Sequence, residues 1–267
     1  MASKSMWKGS VSFGLVNIPV RVYQATQDRE YSFNQLCPKG HRIQYKRWCP
    51  VEQKEISYKE IKKGYEVTKD KYIAIDKKEI DNIKIKTSKS IELKEFIEAK
   101  DLDPILIEKS YFIAPEVRRS VVDKTYLLFA AVLNETNKVA IGKVVLKDKE
   151  HVIALRSYKR GIVMHVLHFL DEVRPMDEIE EITQVQKMKI DNKEELSLAK
   201  LLVENLSTDH FDLSKYSDSY SKELKHLIEA KSKGKTYIKS VEVEKEAPKD
   251  LVAALKASLQ KSKKSKQ

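Results

Sequence analysis

Polar and apolar positions alternate along VSFGLVNIPVRVY (residues 11–23), as they do in a strand with one buried face. The apolar positions fall in two phases: Val11, Phe13 and Leu15, then Val16, Ile18, Val20 and Val22. Because a shift of one residue moves every side chain to the other face, this pattern predicts one strand with a bulge or kink near residues 14–16. Pro19 cannot donate a ladder hydrogen bond, so it favours an edge or irregular position.

The next part of the chain predicts a polar insertion followed by more strands. Residues 31–70 are strongly polar, which favours short strands and loops over a packed core. Further along, residues 76–83 could hold a helical turn. The remaining strand predictions are 72–75, 90–99 and 103–115, the last as one long strand or a pair.

A helix and a meander are expected between residues 115 and 169. Pro115 suits a first helical turn, and the helix would bury Val122, Tyr126, Phe129 and Leu133, with Val121, Leu128 and Val132 widening the apolar stripe. Three apolar runs joined by short polar turns then predict an antiparallel meander: 138–146, 151–156 and 161–169.

After Pro175 the pattern becomes helical. Asn192 and Glu195 form a capping-box pattern before the apolar stripe of one helix, and a second helix is expected from about residue 217 to Gly234. A third would start at Pro248, and KSKKSKQ at the end is expected to be disordered. The fold class is therefore α+β and β-rich, with a body at 1–180, a helical arm at 181–234, and a C-terminal helix with a lysine-rich tail at 235–267.

Charge adds a polyanion, most often nucleic acid, to the possible partners. The 267 residues carry a net charge of +11, and the segment from Lys231 onward holds eleven lysines against four acids. The rest of the chain is nearly balanced, so a binding surface there would need local clustering. Two cysteines, no signal-peptide pattern and no long apolar run lead us to expect a soluble, cytoplasmic protein with reduced thiols.

Both cysteines lie in LCPKGHRIQYKRWCP (residues 36–50), which allows a zinc site, a disulfide loop or a basic patch with incidental thiols. Cys37, His41 and Cys49 are three candidate zinc ligands, but a structural site usually has four, with closer cysteine spacing. We therefore expect no cofactor, with zinc as the less favoured alternative.

Clusters of cations are the candidate DNA contacts. In residues 42–48 they alternate with Tyr45 and Trp48, which suits phosphate contact with stacking, and strand alternation would place Arg42, Lys46 and Trp48 on one side. The alternative for every cluster is an ordinary solvated surface. The candidates are Lys39, Arg42, Lys46, Arg47, Arg118, Arg119, Lys147, Lys149, Arg156, Lys159, Arg160, Lys261, Lys263 and Lys264.

Signatures of catalysis are not found in the sequence. It has no phosphate-binding glycine loop and no nucleophile elbow, and its carboxylates suggest no two-metal nuclease site. His165 and His168 lie in one apolar run, where packing or a hydrogen bond within the sheet is expected. We therefore expect a binding protein and no enzyme.

Several stretches together resemble prokaryotic Ku, the DNA-end-binding family of non-homologous end joining. The resemblance is colinear over nearly the whole chain, and its first and fourth stretches are the most specific. In order they are WKGSVSFGLVNIPVRVYQAT (7–26), IQYKRWC (43–49), IKKGYE (61–66), DLDPILIEKSYFIAP (101–115), KVAIGKVVL (138–146), DEVRP (171–175), ELSLAKLLVENL (195–206) and DLVAALKASL (250–259).

The resemblance implies a β-barrel core with a helical C-terminal arm, in a homodimer that forms a ring around duplex DNA. It also implies an ATP-dependent DNA ligase as partner in double-strand break repair, no chemistry by the protein itself, and a location at the nucleoid. The dimer contacts would come from the apolar stripes of the arm, which could instead pack on their own body: Leu196, Ala199, Val203, Leu206 and Leu224.

One departure from the family concerns the metal. Many relatives have a CPxC-like pair after the first strand, whereas this chain has Cys49-Pro50-Val51-Glu52. We therefore interpret residues 36–50 as a basic loop and strand near DNA with a degenerate or lost metal site. The alternative function is a general nucleic-acid-binding barrel without end specificity, and a metal-dependent nuclease is a third possibility.

Overall fold

The computed structural model describes residues 4–27, 31–83, 89–117, 124–236 and 258. Its strands are β1 (Trp7–Phe13), β2 (Val16–Gln24), β3 (Trp48–Cys49), β4 (Lys54–Glu55), β5 (Lys63–Thr68), β6 (Lys71–Ile75), β7 (Ser90–Glu98), β8 (Ile107–Pro115), β9 (Lys138–Leu146), β10 (Lys149–Tyr158) and β11 (Gly161–Leu167). Its α-helices are α1 (Lys77–Ile83), α2 (Lys124–Thr136), α3 (Glu180–Lys187), α4 (Lys193–Leu206) and α5 (Ser219–Ser232).

Seven strands close into a barrel in the order β1-β2-β8-β11-β10-β9-β7, which confirms the predicted β-barrel and α+β class. All neighbours are antiparallel except β1 and β7, whose parallel pairing closes the barrel. The predicted meander of β9, β10 and β11 is present. Alternate side chains of the strands point inward and form one apolar core that includes Val11, Val20, Ile91, Ile153 and Met164.

The phase change in the first strand marks a hairpin turn, so the predicted bulge is wrong. β1 and β2 pair from Trp7↔Val22 to Phe13↔Val16, and Gly14 and Leu15 form the turn between them. Gly14 has φ +55, a conformation that glycine adopts without the steric cost of a Cβ. Pro19 is not on an edge, since β2 lies between β1 and β8.

Helix α2 packs at the barrel core through Tyr126, Phe129 and Leu133, as predicted. The Tyr126 hydroxyl donates to the Ile113 carbonyl at 2.6 Å and accepts from the Ile162 amide at 3.2 Å. Two details were wrong: Pro115 ends strand β8 and does not open the helix, and the side chains of Leu128 and Val132 are exposed. Val121 and Val122 lie outside the described residues.

A second, smaller apolar cluster lies outside the barrel interior. Val139, Ala154 and Leu167 are buried there under the link between β7 and β8, which contributes Ala99 and Leu102 among others. The barrel wall in this region is therefore covered on both faces. This explains why β11 is a nearly continuous apolar run without polar alternation.

The chain divides into two compact units, Met1–Arg174 and Pro175–Gln267, so the division falls before the predicted limit at residue 180. In the second unit the Asn192 side chain accepts from the amides of Glu194 and Glu195, which confirms the predicted cap of α4. The helix expected from Pro248 and the disordered tail lie outside the described residues. Within the described residues, no helix has the length and apolarity to cross a membrane.

Candidate nucleic-acid interface

A long inserted segment, residues 25–89, leaves and re-enters the barrel at one end. β2 runs away from the β1–β2 turn to Gln24, and β7 starts at the same end because it is parallel to β1. We call this the insertion end, and the end that bears the β1–β2 turn the hairpin end. The segment is thus a single excursion from one rim of the barrel.

The inserted segment has little core of its own. It contains two separate two-stranded sheets, β3–β4 and β5–β6, and the short helix α1. Within the described residues 31–83 no side chain is fully buried. Since isolated two-stranded sheets are marginally stable in water, this segment is suited to contacts with something beyond the chain.

The basic loop 36–50 is a turn followed by irregular chain, and the predicted strand over residues 42–48 is wrong. The Cys37 amide donates to the His41 carbonyl at 2.8 Å, which places Lys39 in the turn. Arg42 forms an isolated bridge with Leu36, and the strand β3 contains two residues. Without a buried face, nothing in the sequence fixes the expected alternation of Arg42, Lys46 and Trp48.

Cations and aromatic rings do meet in this loop. The Arg47 guanidinium lies 5.0 Å from the ring centre of Tyr58, and Lys46 forms an ion pair with Glu55 at 3.4 Å. Trp48 and Tyr45 are both more than half exposed. Exposed rings next to exposed cations are the combination that contacts phosphates and stacks on bases.

The cations on the barrel turns do not form one patch. Lys147 and Lys149 flank the β9–β10 turn at the insertion end, because Val144 pairs with Ile91 near the start of β7. Lys159 and Arg160 form the β10–β11 turn at the hairpin end. Arg156 lies on the outer barrel face, opposite Val163.

Five of the predicted DNA contacts cannot be placed. Arg118, Arg119, Lys261, Lys263 and Lys264 lie outside the described residues.

A basic groove that sequence reasoning missed lies on the outer face of β1 and β2. It has a volume of about 540 Å³ and is lined by Lys8, Gly9, Ser10, Asn17, Pro19, Lys89 and Glu116. Lys8 is directly opposite Arg21 across the two strands, and the Glu116 carboxylate contacts both, at 2.5 and 3.7 Å. The sequence did contain a signal for this groove. The alternation of side chains along the two strands places Lys8 and Arg21 on their outer, polar face.

Of the three predicted metal ligands, the structure brings two together. Cys37 Sγ lies 3.6 Å from His41 Nδ1. The described residues contain no group of three or more His, Cys, Asp or Glu side chains arranged to hold a metal ion. A zinc site that includes Cys49 stays the less favoured alternative, and the expected degenerate or lost metal site stays a prediction.

His165 is a structural residue of the barrel wall, as expected from its apolar run. It is buried, and its Nδ1 lies 2.8 Å from the Ser110 hydroxyl, while Nε2 has no hydrogen-bond partner among the described residues. Burial lowers the pKa of this imidazole, and the nearby Arg156 charge lowers it further. His168 instead pairs with Glu172 at 3.3 Å.

The predicted dimer residues lie on helices without a fully buried side chain. Leu196, Val203 and Leu206 of α4 are exposed, and Ala199 and the α5 residue Leu224 are half-buried. α3, α4 and α5 contain no fully buried residue in the single chain. These helices have apolar stripes that the described part of one chain leaves accessible to solvent.

Comparison with known proteins gives a consistent family. The family model "Ku70/Ku80 beta-barrel domain" matches residues 12–197. A protein of Archaeoglobus fulgidus is 40% identical over 258 residues, which cover 96% of this chain and 98% of that protein. Proteins of Heliobacterium modesticaldum (34% identical, 98% of this chain and 94% of that one) and Bacillus subtilis (33%, 97% and 82%) are also similar. All three are named "Non-homologous end joining protein Ku".

Proposed function

The chain belongs to the Ku family, and from that premise we propose that it binds the ends of double-stranded DNA in non-homologous end joining. In this proposal two copies form a ring, duplex DNA enters the ring from an end, and the bound protein recruits an ATP-dependent DNA ligase. The protein performs no chemistry itself.

The observation that carries the proposal is the inserted segment. A polar excursion from one rim of a closed barrel can pass over a duplex while the barrel supports it from below. The inserted segment carries cations and exposed rings and has no fully buried residue in 31–83, as expected for a segment that gains its contacts from DNA and a second subunit.

A ring explains recognition of ends without base readout. A closed ring can load only where the duplex terminates, so the protein needs contacts to phosphates alone, and those carry no sequence information. Each phosphate neutralised by Lys or Arg releases condensed counterions, so affinity should decrease steeply with salt. The modest charge of residues 1–230 is sufficient if the cations line the hole.

The second unit supports the homodimer. Its helices expose Leu196, Val203 and Leu206 on α4 and leave no residue fully buried. A twofold interface would cover the same apolar stripe on both copies at once. Replacing Val203 by Glu should therefore convert a dimer to a monomer in light scattering while the barrel stays folded.

The recruitment of ligase and the role of the lysine-rich end complete the proposal. We assign the ligase contact to residues 235–259, and to the last lysines a weak additional affinity for DNA. Together these would keep the protein at the nucleoid.

The deciding experiment is a gel-shift assay on one duplex in two forms. One form is linear with free blunt ends, and the other has the same sequence with both ends blocked by bulky hairpins or closed into a circle. Binding of the free-ended form alone, at salt near physiological, is the expected result. Equal binding of both forms would contradict threading and favour a general nucleic-acid-binding barrel, and cleavage of linear DNA on addition of Mg²⁺ would favour a nuclease.

A further inference from the structure

The groove on β1 and β2 has an unusual charge arrangement. Lys8 and Arg21 are directly opposite each other on neighbouring strands, and like charges in that position destabilise a sheet. One carboxylate, Glu116, contacts both, and it is almost entirely buried between them. Lys89 adds a third cation, so the group has a net charge of +2.

One donor of this group is left without an acceptor. Nε of Arg21 is buried and has no hydrogen-bond partner among the described residues. Arg21 itself does not line the groove, so it adds positive charge next to the groove without being a ligand of it. The Lys8 side chain lines the groove and is 60% exposed.

The backbone at Lys89 is held against β1, and this contact places Lys89 at the groove. The Lys89 carbonyl accepts from the Ser10 amide at 3.0 Å and lies so close to Gly9 that a Cβ there would collide with it. Lys89 has φ +49, which is strained for a residue with a side chain. Among the described residues with positive φ, Lys147, Asp148 and Lys159 hold two-residue hairpin turns, whereas Lys89 directly precedes β7 and lies over β1.

We propose that this groove binds one phosphate of the DNA backbone, held by the ammonium groups of Lys8 and Lys89 and completed by the donors of Ser10 and Asn17. Glu116 orients Lys8 and Arg21 and neutralises one of the charges, so that the site holds a phosphodiester without a large excess of charge. The proposal rests on the proposed function for the identity of the ligand. Because Lys89 lies where the inserted segment rejoins the barrel, the bound phosphate would lie at that junction.

The first test measures the salt dependence of binding to a free-ended duplex. Each phosphate contact contributes roughly −0.9 to the slope of log K against log salt concentration. Lys89→Gln and Lys8→Gln should each reduce the slope by about 1 and weaken binding about three- to tenfold near physiological salt. The matched control is Lys94→Gln on β7, the strand that follows Lys89, because Lys94 is a lysine of the same region that does not line the groove.

The double variant sharpens the test. If Lys8 and Lys89 hold the same phosphate, Lys8→Gln and Lys89→Gln together should cost less than the product of their separate effects, since residues that share a partner are not additive. Unfolding midpoints equal to wild type would establish that each variant is folded. Equal losses in all three single variants, the Lys94 control included, would mean a general effect of net charge and overturn the proposal.

A second arm distinguishes backbone phosphate from free phosphate. Titration calorimetry with inorganic phosphate, on wild type and on Lys89→Gln, asks whether the groove takes the free ion. Phosphate binding that is lost in Lys89→Gln while the DNA slope stays unchanged would overturn the assignment to the backbone. The proposed function is tested separately, by comparing the binding of wild type to capped and free-ended duplexes. Equal binding of the two would contradict end recognition, and the salt slopes of the variants could still be compared.

Discussion

The barrel and the inserted segment are both built from strands, but they differ in what holds them together. In the barrel, residues such as Ile18, Ile153 and Leu155 are fully enclosed, and closure leaves no free strand edge. In the described residues 31–83 the two sheets have two strands each and no side chain is fully buried. The barrel is stable through its own core, whereas the described residues of the segment bury no side chain fully, which is why we propose that DNA and a second subunit complete it.

Matched side-chain truncations in the two regions are the most direct test of this difference in stability. Ile153→Ala in the barrel should destabilise the protein by about 2–5 kcal/mol, because it leaves a cavity in a packed core. Ile73→Ala on β6, whose side chain is 58% exposed, should change the free energy of unfolding by less than about 0.5 kcal/mol. Urea unfolding measures both, and similar losses would mean that the segment shares the stability of the barrel.

Excision of the segment tests the other half of the comparison. Gln24 and Ser90 lie on the two neighbours of β1 and are offset along it by about five residues, so they are roughly 20 Å apart, and a flexible Gly/Ser linker in place of residues 28–88 can join the two ends. We expect such a variant to unfold cooperatively and to lose about 100-fold in affinity for free-ended duplex, since the phosphate contacts that we propose for the inserted segment would be gone. Gel shifts at fixed salt give the affinity, and full end binding by the excised form would show that the barrel alone recognises DNA.

A single hydroxyl gives a finer comparison. Tyr126 bonds both Ile113 and Ile162 in the closed interior, so Tyr126→Phe leaves two buried backbone groups without a partner and should cost about 1–3 kcal/mol. Burial also raises the pKa of this phenol, in line with its apolar surroundings. The control is Tyr65→Phe on β5, an exposed ring, for which no measurable change in the urea midpoint is expected. If Tyr126→Phe leaves the urea midpoint unchanged, the barrel core tolerates these two backbone groups without their partner.

The parts of the fold with a buried face were those that the sequence predicts well. β9, β10 and β11 were placed within a few residues, because each strand must bury apolar side chains and the polar turns between them allow no other register. The Gly14–Leu15 turn was missed because a hairpin and a bulge produce the same change of phase along the chain. Deciding between them needs the pairing of Val11 with Ile18, which a single sequence does not contain.

Prediction of the candidate site was less complete for a related reason. The strand expected over Arg42–Trp48 depended on alternation, but exposed residues have no core to fix their phase, and the chain there is mostly irregular. The groove was missed because Lys8, Arg21 and Lys89 are far apart in sequence and each is an ordinary surface cation by itself. The parallel pairing of β1 with β7 brings Lys89 next to Lys8 and Arg21, and this pairing forms only when the barrel closes.

The smallest expected effect is a pH dependence that belongs to the barrel wall alone. Burial, with the Arg156 charge, lowers the folded-state pKa of His165 below its unfolded value of about 6.5. The unfolded chain therefore binds the proton more readily, so the contribution of His165 to stability is intact above that unfolded pKa and is lost as the pH falls through the folded-state pKa. Urea unfolding at pH 7.5 and 5.5 should show a larger loss of stability for wild type than for His165→Gln, which does not titrate. Equal losses in the two proteins would mean that other groups, and not this buried imidazole, make the barrel sensitive to acid.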